Sequence, residues 1–416
     1  MEGTKLSNTE AVGAKYDLLI KGGEVIDPAQ GLRAVTDVAF KDGRVAAIGL
    51  DLNASKTSQV VDASGKLVTP GLIDVHGHYF PHVTQMGISA DAVCLPNGVT
   101  TTVDAGSSGW VQFDAFKEFI LRREKTRMFA LVNLSALGML QQYRDGGYGP
   151  SVSVSGGPFT NVSQEPVGEL MDLRYAQVEE AVRCIQDNPN VTLGVKVRID
   201  PGVTGVENAA PALERGREVA DITGSFMMVH VARSPISLAD ILDRLRPGDI
   251  ITHIFQSAEN NILDDKGNIR PEVNEARSKG VLMDIGAASA NFGVELSRAA
   301  IAQGFLPDTI SSDMTKPRPA RPVINTLPEL MTMFMGLGMS LVEVVAAATA
   351  NGVAAMGLSD ELGTLRVGAV GDAAVLELEP GEFEYGDSQG ETVQVDHRLN
   401  PVATVKDGKV WKGASA

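Results

Sequence analysis

The sequence predicts an α/β protein: a (β/α)8 TIM-type barrel with a small β-sandwich domain built from both chain ends. Three observations carry that expectation. Eight apolar, strand-like runs alternate with helical patterns across the middle of the chain. Strand-rich pieces with Asp-Gly turns recur near both ends. Polar side chains also recur at the ends of the apolar runs, where a barrel places its chemistry.

Residues 1–15 are polar, with no apolar signal-peptide core, and are expected to form a flexible leader. From 16 to 67 the chain reads as short strands broken by turns. "YDLLIKGGEVIDP" holds two β-rich pieces around Gly22-Gly23, a hairpin signal, and "TDVAFKDGRVAAIG" repeats the plan around Asp42-Gly43. The segment 363–416 looks alike: "GTLRVGAVGDAAVLELEP" precedes "NPVATVKDGKVWKG" with its Asp407-Gly408. Short strands cannot bury a face alone, so the two segments are expected to share one domain. Residues 68–362 hold the barrel runs "LIDVHGH", "GVTTTVDAG", "MFALVNLSAL", "TLGVKVRI", "FMMVHVA", "DIITHIF", "VLMDIGAA" and "TISSD". Helical stretches such as "SLADILDRLR" and "LVEVVAAATANGVAAMG" follow most of them. This alternation fits a closed barrel better than an open sheet, although periodicity alone leaves a doubly wound sheet as the alternative. The Met-rich "LMTMFMGLGM" reads as helix core rather than a metal box.

Composition narrows the function. Of 416 residues 44% are apolar, yet no run of about 18 apolar residues exists to span a membrane. The two cysteines, Cys94 and Cys184, cannot build a disulfide framework and suit a reducing cytoplasm. A net charge of −16 would repel nucleic acid. The expected partner is a small-molecule substrate, without nucleic acid or membrane, and the protein is expected to be a homo-oligomer.

Strand parity then groups the polar residues. In "PGLIDVHGHYF", Asp74, His76 and His78 share one face of a strand. Lys196 lies in the fourth run, His230 in the fifth, His253 in the sixth and Asp313 in the eighth. Singly, each histidine reads as a hydrogen-bonded core residue. Together, imidazoles and a carboxylate converging on one mouth have the ligand chemistry of Zn2+ and its neighbours. Lys196 differs, because an ammonium repels a metal. A desolvated lysine is a nucleophilic amine that can add CO2, and the resulting carbamate could bridge two ions. On the strand alone, a lysine reaching solvent or pairing with an acid is the plainer reading.

The order His-x-His, Lys, His, His, Asp resembles the amidohydrolase superfamily of binuclear metallohydrolases. "VDASGKLVTPGLIDVHGH" and "GTLRVGAVGDAAVLEL" resemble its framing segments, and "GVKVRID", "GDIITHIFQ" and "AQGFLPDTISSDM" resemble its dihydroorotase-related amidohydrolase/deacetylase branch. The resemblance implies a CO2-derived carbamate on Lys196 bridging two divalent ions, expected to be Zn2+. His76, His78 and Asp313 would hold one ion, His230 and His253 the other. It implies a cytoplasmic, zinc-dependent amidohydrolase or deacetylase, in which hydroxide shared by the metals cleaves an amide or ester of a small acylated substrate. The alternatives are a cyclic amidase of the dihydroorotase or hydantoinase type, or a non-catalytic scaffold relative. One departure stands out: where this branch tends to carry a seventh-strand histidine, "DIGAASANFG" offers Ala287 and Ala288.

Asp313 is the candidate to accept a proton and pass it to the leaving group. Arg198 shares the parity of Lys196 and suits a substrate carboxylate, with a salt bridge to Asp200 or another acid equally in view. Arg233, and the cluster Lys316, Arg318 and Arg321, occupy loops after the fifth and eighth runs and could face substrate, with solvated surface the plainer reading of each taken alone. The glycine- and serine-rich stretch 143–157 reads equally as a lid or a mobile excursion. His82 and His397 are not expected to bind metal.

Overall fold

A computed structural model describes residues 16–84, 86–140, 143–144, 147–150, 168–287, 291–316, 326–387 and 389–411. The expected leader, residues 145–146 and 151–157 of the possible lid, Ala288, Arg318 and Arg321 lie outside these residues. The first strands are β1 (Tyr16–Asp27), β2 (Leu32–Lys41), β3 (Arg44–Gly49), β4 (Thr57–Asp62) and β5 (Leu67–Pro70). The next are β6 (Leu72–Gly77), β7 (Val99–Gly109) and β8 (Arg127–Asn133). A small hairpin, β9 (Tyr143–Arg144) and β10 (Gly147–Pro150), precedes β11 (Thr192–Arg198), β12 (Phe226–His230), β13 (Ile250–Thr252) and β14 (Leu282–Asp284). The last are β15 (Ala373–Gly386), β16 (Thr392–Lys406) and β17 (Lys409–Trp411).

The two Asp-Gly pairs make the expected turns. Asp42-Gly43 (φ 51° and 77°) joins β2 to β3, and Asp407-Gly408 (φ 50° and 74°) joins β16 to β17. Two successive positive φ values give a turn whose twist matches the flanking strands. Gly22-Gly23 is not a hairpin. It is a bulge inside β1, and there the strand exchanges one parallel partner, β4, for another, β5. Gly22 takes φ 72°, its amide donates to Asp37 Oδ1, and a Cβ on Gly23 would lie 2.5 Å from Val68 Cγ2. Among the described residues the expected sandwich is one eight-stranded mixed sheet in the order β17-β16-β15-β5-β1-β2-β3, with β4 also on β1. The two chain ends meet where β15 pairs antiparallel with β5. Alternation along β1 sends Leu18 and Ile20 into one apolar cluster and Leu19 into another.

The second sheet is wholly parallel, in the order β6-β7-β8-β11-β12-β13-β14. Its strands are buried along nearly their whole length, as a sheet covered on both faces requires. The expected eighth strand is irregular. Segment 309–314 makes one parallel bridge to each sheet edge, Asp284 with Thr309 and Gly77 with Met314. The result is a TIM-like barrel plus a second domain, with seven regular strands among the described residues.

Helices cover the barrel by ordinary amphipathic patterning. Helix Val178–Asp187 buries Val178, Ala181, Val182 and Ile185, one face at helical spacing. Helix Ala209–Thr223 lies so close to β11 that a Cβ on Gly216 would come 2.3 Å from Val197 Cγ2. The Met-rich helix Leu327–Gly336 is core, burying Leu330, Met331, Met333 and Phe334. "LVEVVAAATANGVAAMG" divides into helices Leu341–Ala347 and Ala350–Ala355 at Thr349, whose hydroxyl bonds the Val345 carbonyl. Arg127, at the start of β8, ties the barrel to the mixed sheet through Asp372 and Asp407. Among the described residues no helix is long and apolar enough to cross a membrane.

Candidate metal centre

β6 presents His76 near its end and His78 one residue beyond it. β11 supplies Lys196, β12 His230, the turn after β13 His253, and the irregular eighth segment Asp313. All six are buried, none more than 9% exposed. The ligand atoms of His76, His253 and Asp313 lie within 4.8 Å of one another, an arrangement able to hold a metal. Asp313 Oδ1 is 2.9 Å from His78 Nε2 and 3.4 Å from His76 Nε2, and Lys196 Nζ is 3.2 Å from that same His76 nitrogen. The His230 and His253 rings meet edge-on with centroids 4.3 Å apart, and the His76 ring stands 5.2 Å from that of His253. The six side chains expected at the strand ends thus lie close together.

The imidazoles are oriented from outside. His76 Nδ1 meets Thr252 Oγ1 at 2.9 Å and Asp284 Oδ2 at 3.5 Å, and His78 Nδ1 meets Ser107 Oγ at 3.2 Å. His253 Nδ1 lies 2.7 Å from the Gly286 carbonyl oxygen. In these three rings the outer nitrogen is engaged and Nε2 faces the cluster, the pattern that metal-ligating histidines adopt. His253 Nε2 is buried with no hydrogen-bond partner among the described residues. A buried imidazole nitrogen without a partner is costly, and a cation at this position would satisfy it. The residues fit a metal.

Two glycines make room. Gly106 takes φ 85°, and a Cβ there would lie 2.7 Å from Lys196 Cβ. A Cβ on Gly286 would fall 2.7 Å from His253 Nδ1. His253 and Asp313 themselves adopt φ 66° and 47°. Left-handed backbone in non-glycine residues costs of order 1–3 kcal/mol and clusters at working sites.

Charge follows burial. Desolvation, with opposing attraction from Asp313 and Asp284, brings Lys196 down to about 7, so the neutral amine is accessible. Burial lowers His76 to about 4, His253 to about 3 and His230 well below its ordinary value. Neutral imidazole is the ligand form. Burial works against ionisation of Asp313, but His76 and His78 outweigh it and hold the carboxyl well below the usual range.

The basic residues divide. Arg198 is buried with Nη1 3.0 Å from Glu169 Oε1, and the side chain of Glu169 is fully buried. Asp200, the acid adjacent in sequence, instead caps helix Pro201–Thr204 by accepting the Gly202 amide. Arg233 is exposed and borders a cavity of about 620 Å3 with Ser237, Asn260 and Arg270, none of them in the six-residue cluster. Lys316 and His82 are exposed, and His397, half-buried, pairs with Asp396. Ala287 is buried and its amide bonds the Ser311 carbonyl. Sequence reasoning missed Thr252, Asp284, Ser107, Gly106 and Glu169. For Asp284 a signal existed, since an aspartate interrupts the apolar "VLMDIG" at a strand end.

Comparison with known proteins agrees with this geometry. A deacetylase of Brucella anthropi is 30% identical over 369 residues, covering 88% of this chain and 86% of its own length. A deacetylase of Agrobacterium fabrum is 30% identical over 360 residues, covering 86% and 82%. Crystal structures of an adenine deaminase (TM-score 0.81, 27% identity) and a dihydroorotase (0.80, 28%) each cover 95% of this chain, and 99% and 98% of their own. The family pattern of the amidohydrolases matches residues 67–411, and the chain belongs to the amidohydrolase family.

Proposed function

We propose that the protein is a binuclear, zinc-dependent hydrolase that removes the acyl group from a small, carboxylate-bearing N-acylated substrate. The observation that carries this reading is the inward-facing set of His76, His78, Lys196, His230, His253 and Asp313, with the partnerless His253 Nε2 among them. His76, His78 and Asp313 would hold one ion, His230 and His253 the other, and carbamylated Lys196 both. When bound, the metals supply Lewis acidity toward water and the acyl carbonyl. The chain's own part is proton handling and exclusion of bulk water. Asp313, kept ionised between His76 and His78, takes a proton on its carboxylate and delivers it to the departing nitrogen. The buried walls around the cluster keep that proton from solvent.

The names of the two relatives support deacylation. Arg198, anchored by Glu169, is the group proposed to face the substrate carboxylate. The free thiols of Cys94 and Cys184 agree with a cytoplasmic setting. A cyclic amidase is the second reading, favoured by the likeness to a solved dihydroorotase. The test is a hydrolysis screen of zinc- and bicarbonate-reconstituted protein across N-acyl amino acids, cyclic amides, dipeptides and acylated hydroxy acids. N-acyl amino acids should lead. Turnover confined to cyclic amides would transfer the assignment to the second reading.

A further inference from the structure

The irregular eighth segment is held by side chains as well as by backbone bonds, the Ile285 and Ala287 amides donating to the Thr309 and Ser311 carbonyls at 3.2 and 2.9 Å. On one flank Asp284 accepts the hydroxyls of Thr309 at 2.6 Å and Ser311 at 2.8 Å. On the other flank stands Asp74, 2% exposed, two residues before His76. Its carboxylate accepts the Ser312 hydroxyl, and Asp74 Oδ1 also accepts the Ser312 amide at 3.1 Å and the His76 amide at 3.3 Å. One carboxylate therefore fixes the backbone of β6 at His76 and the eighth segment at Ser312, the residue before Asp313. The strand and the segment touch again one step on, where the His78 amide donates to the Met314 carbonyl at 2.9 Å. Between these two fastenings Asp313 takes φ 47°.

The geometry points to Asp74 as the positioning residue for Asp313, acting through Ser312 to hold the proton-carrying carboxylate against His76 and His78. A left-handed, non-glycine residue persists only where its surroundings over-determine it, and the Asp74–Ser312 contact is one of the two constraints that flank it. Its value lies in alignment, because a misplacement of about 1 Å at a reacting group can cost about a hundredfold in rate. The inference rests on the role proposed for Asp313, so its test needs arms that do not depend on turnover.

The decisive variant is Ser312→Ala, which deletes the hydroxyl and leaves the backbone bond to Asp74 available. Ser312→Thr keeps the hydroxyl and serves as the rescue. Thr404→Val removes a buried hydroxyl bonded to the Leu95 carbonyl in the mixed sheet, and controls for general loss of stability. Hydrogen exchange of metal-free full-length protein should be faster in a peptide covering 309–316 for Ser312→Ala, but not for Ser312→Thr or Thr404→Val. With cobalt(II) loaded as the probe metal, the visible absorption of Ser312→Ala should differ from wild type at equal metal content. On the best amide substrate, kcat should fall by about 10–100-fold, the usual cost of losing an outer hydrogen-bonding partner, with KM little changed. Wild-type exchange and cobalt absorption in Ser312→Ala would overturn the inference, as would an equal kcat loss in Thr404→Val. If wild type hydrolyses nothing in the screen, the proposed function fails, while the exchange and cobalt arms still decide this one.

Discussion

Replacing Lys196 with methionine should stabilise the metal-free protein in a strongly pH-dependent way while removing the second ion. The lysine is 1% exposed, and burial brings its pKa from 10.5 to about 7 against the attraction of Asp313 and Asp284. Between those values the unfolded chain binds a proton that the folded chain has released, so stability rises with pH through the window. A lysine titrating at 10.5 unfolded and about 7 folded costs the folded state about 4 kcal/mol at pH 7 and about 2 kcal/mol at pH 9. Above the unfolded value the cost is gone. Methionine has similar length and no charge, so Lys196→Met lacks this dependence.

The assay is urea unfolding of both proteins after chelation, in CO2-free buffer, at pH 7 and pH 9. Any packing difference between the two side chains cancels when the variant-minus-wild-type stability is compared across pH. That difference should shrink by about 2 kcal/mol on going to pH 9. Parallel pH profiles would refute the reasoning, because they would mean that Lys196 titrates as an ordinary solvent-exposed amine.

Four further outcomes are expected. Elemental analysis of protein prepared with zinc and bicarbonate should approach two metals per chain, and a ceiling of one with full activity would exclude a bridging lysine. Asp313→Asn should keep the fold and lower kcat by about 10²–10⁴-fold, with a larger loss on amides than on activated esters, since a poor leaving group needs the proton more. Glu169→Gln leaves the Arg198 guanidinium buried beside a neutral partner and should destabilise the protein by about 3–5 kcal/mol in urea unfolding; a loss no larger than that of an exposed pair would show the buried pair to be idle. Arg198→Met should erase a preference for carboxylate-bearing substrates, about 10- to 100-fold in kcat/KM and mainly through KM, and equal turnover of neutral analogues by wild type would remove the premise.

The candidate site was legible because its signal is local. A histidine, lysine or aspartate inside an apolar run stands out by burial cost, and a two-residue period says which face it takes. Partner choice is different. Arg198 has Asp200 two residues away, yet Asp200 is committed to the helix that starts at Pro201, and the counter-charge comes from Glu169 in another segment. Gly22-Gly23 shows the same limit in the fold. A glycine pair between β-rich pieces serves a hairpin or a bulge equally well. The choice fell to the bulge because β1 finds two parallel partners end to end, β4 and β5, both later in the chain.

The eighth segment shows why position in the pattern did not give geometry. Had "TISSD" formed a regular strand, Thr309, Ser311 and Asp313 would share one face. Thr309 and Ser311 already spend that face on Asp284, whose carboxylate accepts both hydroxyls. A third side chain continuing along it would bring the Asp313 carboxylate toward a buried charge of its own sign, an expensive neighbour at low dielectric. Instead Ser312 turns to Asp74, and Asp313, at φ 47°, meets the Nε2 atoms of His76 and His78. Backbone bonds persist at this seam, from the Ile285 and Ala287 amides to the Thr309 and Ser311 carbonyls, and the hydroxyls of Thr309, Ser311 and Ser312 add bonds to two buried carboxylates. The run of hydroxyl residues anchors the segment on both flanks, and beyond it Asp313 turns toward the histidine cluster.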